Sequence, residues 1–465
     1  MKVARVCASS AVLLFFGSVL MAQAPRRRSQ TVLFPPTGNF QNPGARSLGL
    51  GGAFIGLADD ASASELNPAG LTQLRKPELA LEFRRRENTT VVDFPNSLTF
   101  GEAECVYLGS DSGGGCRTTF SSRLDSLGFA SLIVPVGRRL TLALYRHELD
   151  REKSSVFRPA LDLPDRQAAG TFEELDRRIT RTGLAVAYLI TDRLSAGVTL
   201  NINAMNQSFR AVEFFTDFAG GPPSFVSAIQ DAHIESEKLG GTAGLYWRPI
   251  DLISVGASYS TRVEFVERAV RQICPSDPDT GLPKCFFSGG VPDPGNVYFL
   301  EGLNSSFTLP SRLGVSIAVR PTRWLLLIGE GDRVTYSDNN QEQARFDNVG
   351  NVIGLDRFVA KDVWELRAGL EAVVPFARSG LLALRLGYWR DPDHSFRYAG
   401  CQRTGPAACD SDPFAAEPHP PTGDLHHYAG GVGVAWSWGQ VDVGYDWIAR
   451  YRRGTLAVSL VVRGN

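Results

Sequence analysis

The sequence predicts an all-β protein: a transmembrane, antiparallel, up-and-down β-barrel of about fourteen strands with an N-terminal hatch, or plug, inside the lumen. Three observations predict it. From Glu78 onward apolar residues recur with period two. The connections between these segments alternate between short turns and long loops. Ahead of them stands an apolar, glycine-rich stretch of different character, GARSLGLGGAFIGLADDASASELNPAGL, from Gly44 to Leu71.

The first element is not part of the fold. Lys2 and Arg5 precede an apolar run from Ala11 to Met21, and Ala22-Gln23-Ala24 fits a small-x-small cleavage rule. This reads as a secretory signal peptide cleaved after Ala24. Cys7 lies before the apolar run, so it is not a lipoprotein acylation site. The expected division is residues 1–24 signal peptide, 25–76 hatch and 77–465 barrel. No other stretch supplies the ~18 consecutive apolar residues of a membrane helix. With 48 Lys and Arg against 49 Asp and Glu, the net charge of -1 gives no electrostatic case for a nucleic-acid partner.

The strands are two-faced. In RLSAGVTLNINAM, Leu194, Ala196, Val198, Leu200 and Ile202 oppose Ser195, Gly197, Thr199, Asn201 and Asn203. In LISVGASYSTRVEF, Ile253, Val255, Ala257, Tyr259, Val263 and Phe265 share one face, which sends Arg262 and Glu264 to the other. QVDVGYDWIA repeats the pattern, with Asp442 and Asp446 inward. Short turns fall at Pro135–Arg139, Ile190–Arg193, Arg248–Asp251, Arg320–Arg323, Phe376–Gly380 and Trp438–Gln440. Many segments exceed the ~5–6 residues of soluble strands and approach the ~9–11 that cross a bilayer. Most tryptophans lie near segment ends, where an interfacial girdle places them. A sheet in lipid must close to satisfy its backbone, and an even strand number returns both termini to the periplasmic side.

Such a barrel is wider than the ~8 strands whose lumen side chains alone can fill. The glycine-rich stretch is the object to fill it. Its glycines permit close backbone approach, Asp59-Asp60 and the serines after them offer helix-capping oxygens, and Asn67-Pro68 signals a turn. The stretch ADDASASELNPAGL (Ala58–Leu71), with Asn67-Pro68-Ala69-Gly70 its most specific part, resembles the hatch of the FadL-type long-chain fatty acid transporters. LPSRLGVSIAVRPTRWLLLIGEGDRVTYS (Leu309–Ser337) and YAGGVGVAWSWGQVDVGYDW (Tyr428–Trp447) resemble hairpins of that family. The resemblance implies a monomeric fourteen-stranded barrel in the outer membrane of a Gram-negative bacterium. It implies hatch roles for Gly51, Gly52, Asp59, Asp60, Asn67, Pro68, Ala69 and Gly70. It also implies passive uptake of hydrophobic molecules through an apolar loop groove, a lumenal pocket and a lateral exit controlled by the hatch. The N-terminal segment is also similar to PorV-type barrels, which serve protein secretion, and this is the alternative reading.

The long loops supply the rest. Phe214, Phe215, Phe218 and Phe225 fall in one, and Phe286, Phe287, Tyr298 and Phe299 in the next. They read either as a hydrophobic ligand groove or as loop-against-loop packing. Cysteines occur as three close pairs, Cys105 and Cys116, Cys274 and Cys285, Cys401 and Cys409. An even count in a secreted chain argues for disulfides, and their clustering favours the sequential pairing. No cofactor or metal is expected, and no enzyme either: GVSIA (Gly314–Ala318) lies mid-strand where no nucleophile elbow forms. His426 and His427 point opposite ways, and His147, His233, His394 and His419 are scattered and read as solvated. The expected partners are outer-membrane lipid and a hydrophobic small molecule.

Overall fold

Period-two patterning becomes a closed ring. In a computed structural model, described for residues 42–95, 97–100, 104–107, 115–158, 161–163, 166–168, 170–215, 225–273, 298–346, 352–376, 380–403, 423–449 and 453–464, fourteen antiparallel strands pair in sequence and the last returns to the first. The first seven are β1 (Glu78–Pro95), β2 (Gly115–Val136), β3 (Leu140–Arg158), β4 (Gly170–Thr191), β5 (Leu194–Phe215), β6 (Phe225–Ile250) and β7 (Ile253–Ser260). Next come β8 (Val263–Ile273) and β9 (Tyr298–Leu309), a hairpin that prolongs the wall strands on either side of it. The ring resumes with β10 (Arg312–Thr322), β11 (Leu325–Val334), β12 (Val363–Phe376), β13 (Gly380–Asp391), β14 (Leu425–Trp436), β15 (Gly439–Ile448) and β16 (Arg453–Arg463).

The two faces separate as alternation requires. Leu132, Leu144, Leu184, Val198, Leu200, Leu245, Ile317 and Leu386 are exposed on the outside. Ser195, Thr199, Asn201 and Asn203 are buried on the inside, with Asp442 and Asp446. A soluble barrel would bury that apolar face; here it forms a belt suited to lipid.

The N-terminal segment fills the lumen. It contains two short helices, α1 (Ala45–Gly49) and α2 (Ala63–Leu66), and a 3₁₀ turn from Pro68 to Gln73. Leu50, Ala53, Phe54, Leu57 and Leu66 pack on Ala318, Leu326 and Ile328 of the wall. Ala58, Ala61, Ala63, Leu71 and Leu74 pack on Phe129, Ile133, Tyr145 and Ala185.

The wall departs from the expected pattern at Thr261-Arg262 and Pro310-Ser311, where both strands break. Val263 and Phe265 do not continue the outer face: they are 3% and 0% exposed. They join Phe307, Leu309, Leu149, Ile179 and Met205 in an apolar cluster within the lumen. Arg262 and Glu264, expected inside, are the exposed pair. The reason is geometric, since an interruption of two residues lets the chain turn and bring the other face inward.

Two expectations about histidine also need correction. His147 is 1% exposed and held against Glu65, and His394 is stacked on Tyr336 with ring centroids 3.9 Å apart. Neither is solvated, because each found a carboxylate in the fold. Trp389 is buried in the lumen beside His427 and is not a girdle residue.

Candidate functional site

The hatch is seated by three kinds of contact. The first is backbone against bare wall. Gly256 lies against the Ile55 carbonyl and Gly387 against the Gly51 amide, so closely that a Cβ at either position would collide. Gly51 itself has φ +67 and leaves no room for a Cβ beside Tyr388. Sequence reasoning reads the strand glycines only as a small lumenal face. Their alignment opposite the hatch backbone needs the register to be seen.

The second is carboxylate to amide. Glu330 of β11 accepts from the backbone amides of Phe54 (2.8 Å) and Ile55 (2.7 Å), and Glu82 of β1 accepts from Gly44. The third is ion pairing. Arg46 of α1 meets Asp59 at 2.6 Å and Glu371 of β12 at 2.8 Å. Glu371 also binds Arg385, which reaches Asp442 at 2.7 Å. Arg320 pairs with Asp59 from the wall. Burial alone would lower the Arg46 pKa, but Asp59 and Glu371 raise it well above the usual value.

The other expected hatch residues fold the segment onto itself and onto the wall. Asp60 accepts from the Ser62 amide (2.9 Å) and hydroxyl (2.6 Å) at the start of α2. Its burial pushes the carboxyl up to about 6 against the pull of Arg46. Asn67 donates to the carbonyls of Ile55 (2.9 Å) and Leu245 (3.0 Å), tying the hatch to itself and to β6. Pro68, Ala69 and Gly70 form the 3₁₀ turn that follows, and the Ala69 carbonyl accepts from Ser195 at 2.8 Å. Gly52 has φ +79 and its carbonyl accepts from Asn42.

Above the hatch lies a cavity of about 80 Å³. Glu65 and Leu66 form part of its floor, His147 and Leu149 one side, and Leu309, Arg312 and Tyr336 the other. Glu65 is lowered in pKa: burial would raise it, but His147 and Arg181 prevail. The apolar cluster of Leu149, Phe265 and Phe307 adjoins this cavity through Leu149 and Leu309. An amphipathic or apolar molecule therefore has an apolar wall beside a polar, charge-compensated one.

The wall beside the cavity is not continuous. Among the described residues β2 pairs with β3 only from Phe129↔His147 to Val136↔Leu140. Beyond that rung β2 continues on β1 and β3 continues on β4, each alone. Register shifts at Gly128 and Leu149 mark the point of parting. Glu148 and Leu149 are both buried, 0% and 5% exposed, which a regular strand does not allow. Arg86 of β1 bridges the seam, donating to the Glu148 carbonyl at 3.1 Å. Arg84, fully buried, pairs with Glu82 at 2.7 Å and donates to the Asn42 carbonyl of the hatch. A second lapse separates β6 from β8: pairs hold for Ala228–Ala232 and again, with β7, from Thr242, but not between.

Several positions singled out from the sequence fall beyond this geometry. Residues 1–41, Phe218, Phe286, Phe287, Cys274, Cys285, Cys409 and His419 lie outside the described residues. For Phe214, Phe215, Phe225, Tyr298, Phe299, Cys105, Cys116 and Cys401 only the backbone is described. That backbone pairs Phe215 with Phe225 at the end of the β5–β6 hairpin, and places Tyr298 at the end of β9. Since β6 and β8 pair there, these positions belong to neighbouring hairpin ends.

No protein-family model and no curated relative matches the sequence. Solved structures do. A Pseudomonas aeruginosa FadL homologue is 16% identical with a TM-score of 0.60, covering 93% of this chain and 99% of that one. The CymD monoaromatic hydrocarbon channel is 14% identical at 0.52, covering 92% and 98%. The Ralstonia pickettii toluene transporter TbuX is 13% identical at 0.53, covering 92% and 100%. The chain has the fold of these FadL-type barrels.

Proposed function

We propose that this protein is an outer-membrane channel for the passive uptake of hydrophobic molecules, of the class named for the monoaromatic hydrocarbon channel CymD and the toluene transporter TbuX. One observation carries the reading: the lumenal cavity is lined by His147 and Leu149, the residues at which the β2–β3 wall comes apart. A solute resting there has a lateral way out at the upper edge of the apolar belt, near Leu132 and Leu144. Lateral release spares an apolar molecule the aqueous periplasm. The hatch controls this exit through two of its residues, Glu65 on His147 and the Asn42 carbonyl on Arg84.

In this reading the signal peptide is removed after Ala24, residues 25–76 form the hatch and 77–465 the barrel. The barrel acts as a monomer among outer-membrane lipids. Phe214, Phe215, Phe218, Phe225, Phe286, Phe287, Tyr298 and Phe299 form the outer groove. Cys105–Cys116, Cys274–Cys285 and Cys401–Cys409 are disulfides that brace the long loops, and alkylation mass shifts with and without reductant test them. The function is tested by uptake of labelled oleate and labelled toluene into cells with and without the protein. Faster uptake of either supports the channel. Equal uptake of both overturns it, and a secretion defect on deletion would then favour the PorV-like role.

A further inference from the structure

The turn-side rim of the barrel carries a charge pattern that transport does not use. Arg75 and Lys76 precede β1, Arg138 and Arg139 lie between β2 and β3, Arg193 between β4 and β5, Arg248 two residues before the end of β6, and Arg323 between β10 and β11. All seven are exposed. Among the described residues none of them is ion-paired to a carboxylate; the exposed acids of these turns are Asp192 and Asp251. The contacts they do make are to neutral groups. Arg75 donates to the Arg138 carbonyl at 3.1 Å, Arg193 donates to the Pro249 carbonyl, and Arg323 stands over the Trp324 ring at 4.5 Å.

The turns are also joined to one another. The Arg139 carbonyl accepts from Leu189, and the Arg193 carbonyl from Arg248, both at 2.8 Å. The cations therefore sit on one linked arc that runs from the start of β1 to β11. Four of them stand within three residues of an exposed apolar side chain of the belt: Arg138 after Val136, Arg193 after Ile190, Arg248 after Trp247, and Arg323 before Trp324. The opposite rim differs. There Arg85 pairs with Asp125 at 2.6 Å, Arg123 with Glu87 at 2.9 Å and Arg390 with Asp424 at 2.7 Å.

We propose that this arc is a binding surface for anionic phospholipid headgroups of the leaflet facing the short turns. The proposal rests on the reading of the chain as a membrane-spanning barrel. Its chemistry is charge complementarity at a fixed depth. Guanidinium groups placed within one to three residues of the exposed apolar belt, Arg248 and Arg323 beside tryptophan, lie at the level of lipid phosphates and donate to them in pairs. Arginines already neutralised by carboxylates, as on the opposite rim, have no such demand.

The test uses the full chain in vesicles of phosphatidylethanolamine and phosphatidylglycerol, with bromine on the acyl chains of one lipid at a time. Bromine quenches nearby tryptophan, and Trp247 and Trp324 adjoin the arc. At low salt, brominated phosphatidylglycerol should quench at least about twofold more than its share of the mixture, and high salt should abolish the excess. In the variant Arg138→Gln, Arg139→Gln, Arg193→Gln, Arg248→Gln, Arg323→Gln the excess should vanish. Quenching in proportion to composition in the parent protein overturns the proposal, and so does an excess that survives in a folded variant. If the variant fails to fold, the parent's salt titration decides alone. Absence of quenching by either lipid would instead remove the membrane-spanning reading.

Discussion

The rung Phe129–His147–Arg181–Asn203–Lys238 divides the barrel into two halves held in different ways. On the turn side every strand pairs with both neighbours and the hatch is pressed against the wall. Its contacts are directional: amides on Glu330, Asn67 on two carbonyls, backbone on glycine. On the loop side the wall parts at β2–β3 and again at β6–β8, and what fills the lumen is a cluster of apolar side chains shared by the bent β8–β9 hairpin and strands β3, β4 and β5. Directional contacts are lost all at once, because an unmade buried hydrogen bond leaves a stranded group. Apolar contacts can be exchanged for those of a similar solute. The hatch is thus the fixed floor and the β8–β9 hairpin the exchangeable filling.

The sharpest way to break this contrast is to unseat the floor. Gly256→Leu places a side chain where the Ile55 carbonyl and the Asn67 amide lie. Overpacking of this kind costs about 1–3 kcal/mol where side chains can yield, and more where backbone must move. The expected result is an undocked hatch in a barrel that still assembles. Sensitivity to large hydrophilic antibiotics should rise on the order of tenfold or more, each tenfold corresponding to about 1.4 kcal/mol. An unchanged sensitivity would mean that the hatch is not the seal.

On the loop side, Phe265→Ala removes the centre of the exchangeable filling. Burial of Phe265 at 0% exposure predicts a loss of about 3–5 kcal/mol of cluster stability. Because the cluster is the filling and not the floor, antibiotic sensitivity should stay near that of the parent while uptake of a small aromatic solute rises. Leakage equal to that of Gly256→Leu would erase the distinction between the halves.

How much of this contrast is legible in the sequence depends on periodicity. Leu194–Asn203 alternates without interruption, and its faces lie as the pattern requires. The stretch from Tyr259 to Phe265 also alternates, yet its parity reverses at Thr261-Arg262. A break of two polar residues reads the same whether the strand continues or bends. The hatch is legible as a glycine-rich body foreign to the strands, and Asn67 as its turn. Glu330, Glu371 and Arg84 are not, because inward charges look alike until register shows which of them faces an amide or a guanidinium. His147 misleads for the same reason: its partner Glu65 is distant in sequence.

A smaller effect is expected at the boundary between the halves. Arg86→Ala removes the hydrogen bond that spans the β2–β3 seam to the Glu148 carbonyl. Bonds to charged groups contribute about 1.5–3 kcal/mol, part of which is returned here because Arg86 no longer has to stay buried. Uptake of an apolar solute should rise by several fold, with the hatch still seated. A fall in uptake would place the exit elsewhere, at the β6–β8 lapse.

The finest adjustment lies within the floor itself, at Asp60. Its carboxyl is raised to about 6 by burial, with Arg46 and Ser62 opposing, so the seated hatch holds this proton more tightly than an undocked one does. Below about pH 4 both states are protonated and the seat is at its strongest. From about pH 4 to about pH 6 the undocked carboxyl is ionised while the seated one keeps its proton, so docking weakens as pH rises, and above about 6 it stays at a constant lower level. Between about pH 5 and about pH 7 the change is on the order of 1 kcal/mol. Hydrogen exchange at the amides of α2 should therefore quicken over that interval in the parent protein. Asp60→Asn keeps an acceptor for the Ser62 amide but has no proton to lose, so its exchange, corrected for intrinsic rates, should not change with pH. A dependence that persists in Asp60→Asn would assign the titration to another group.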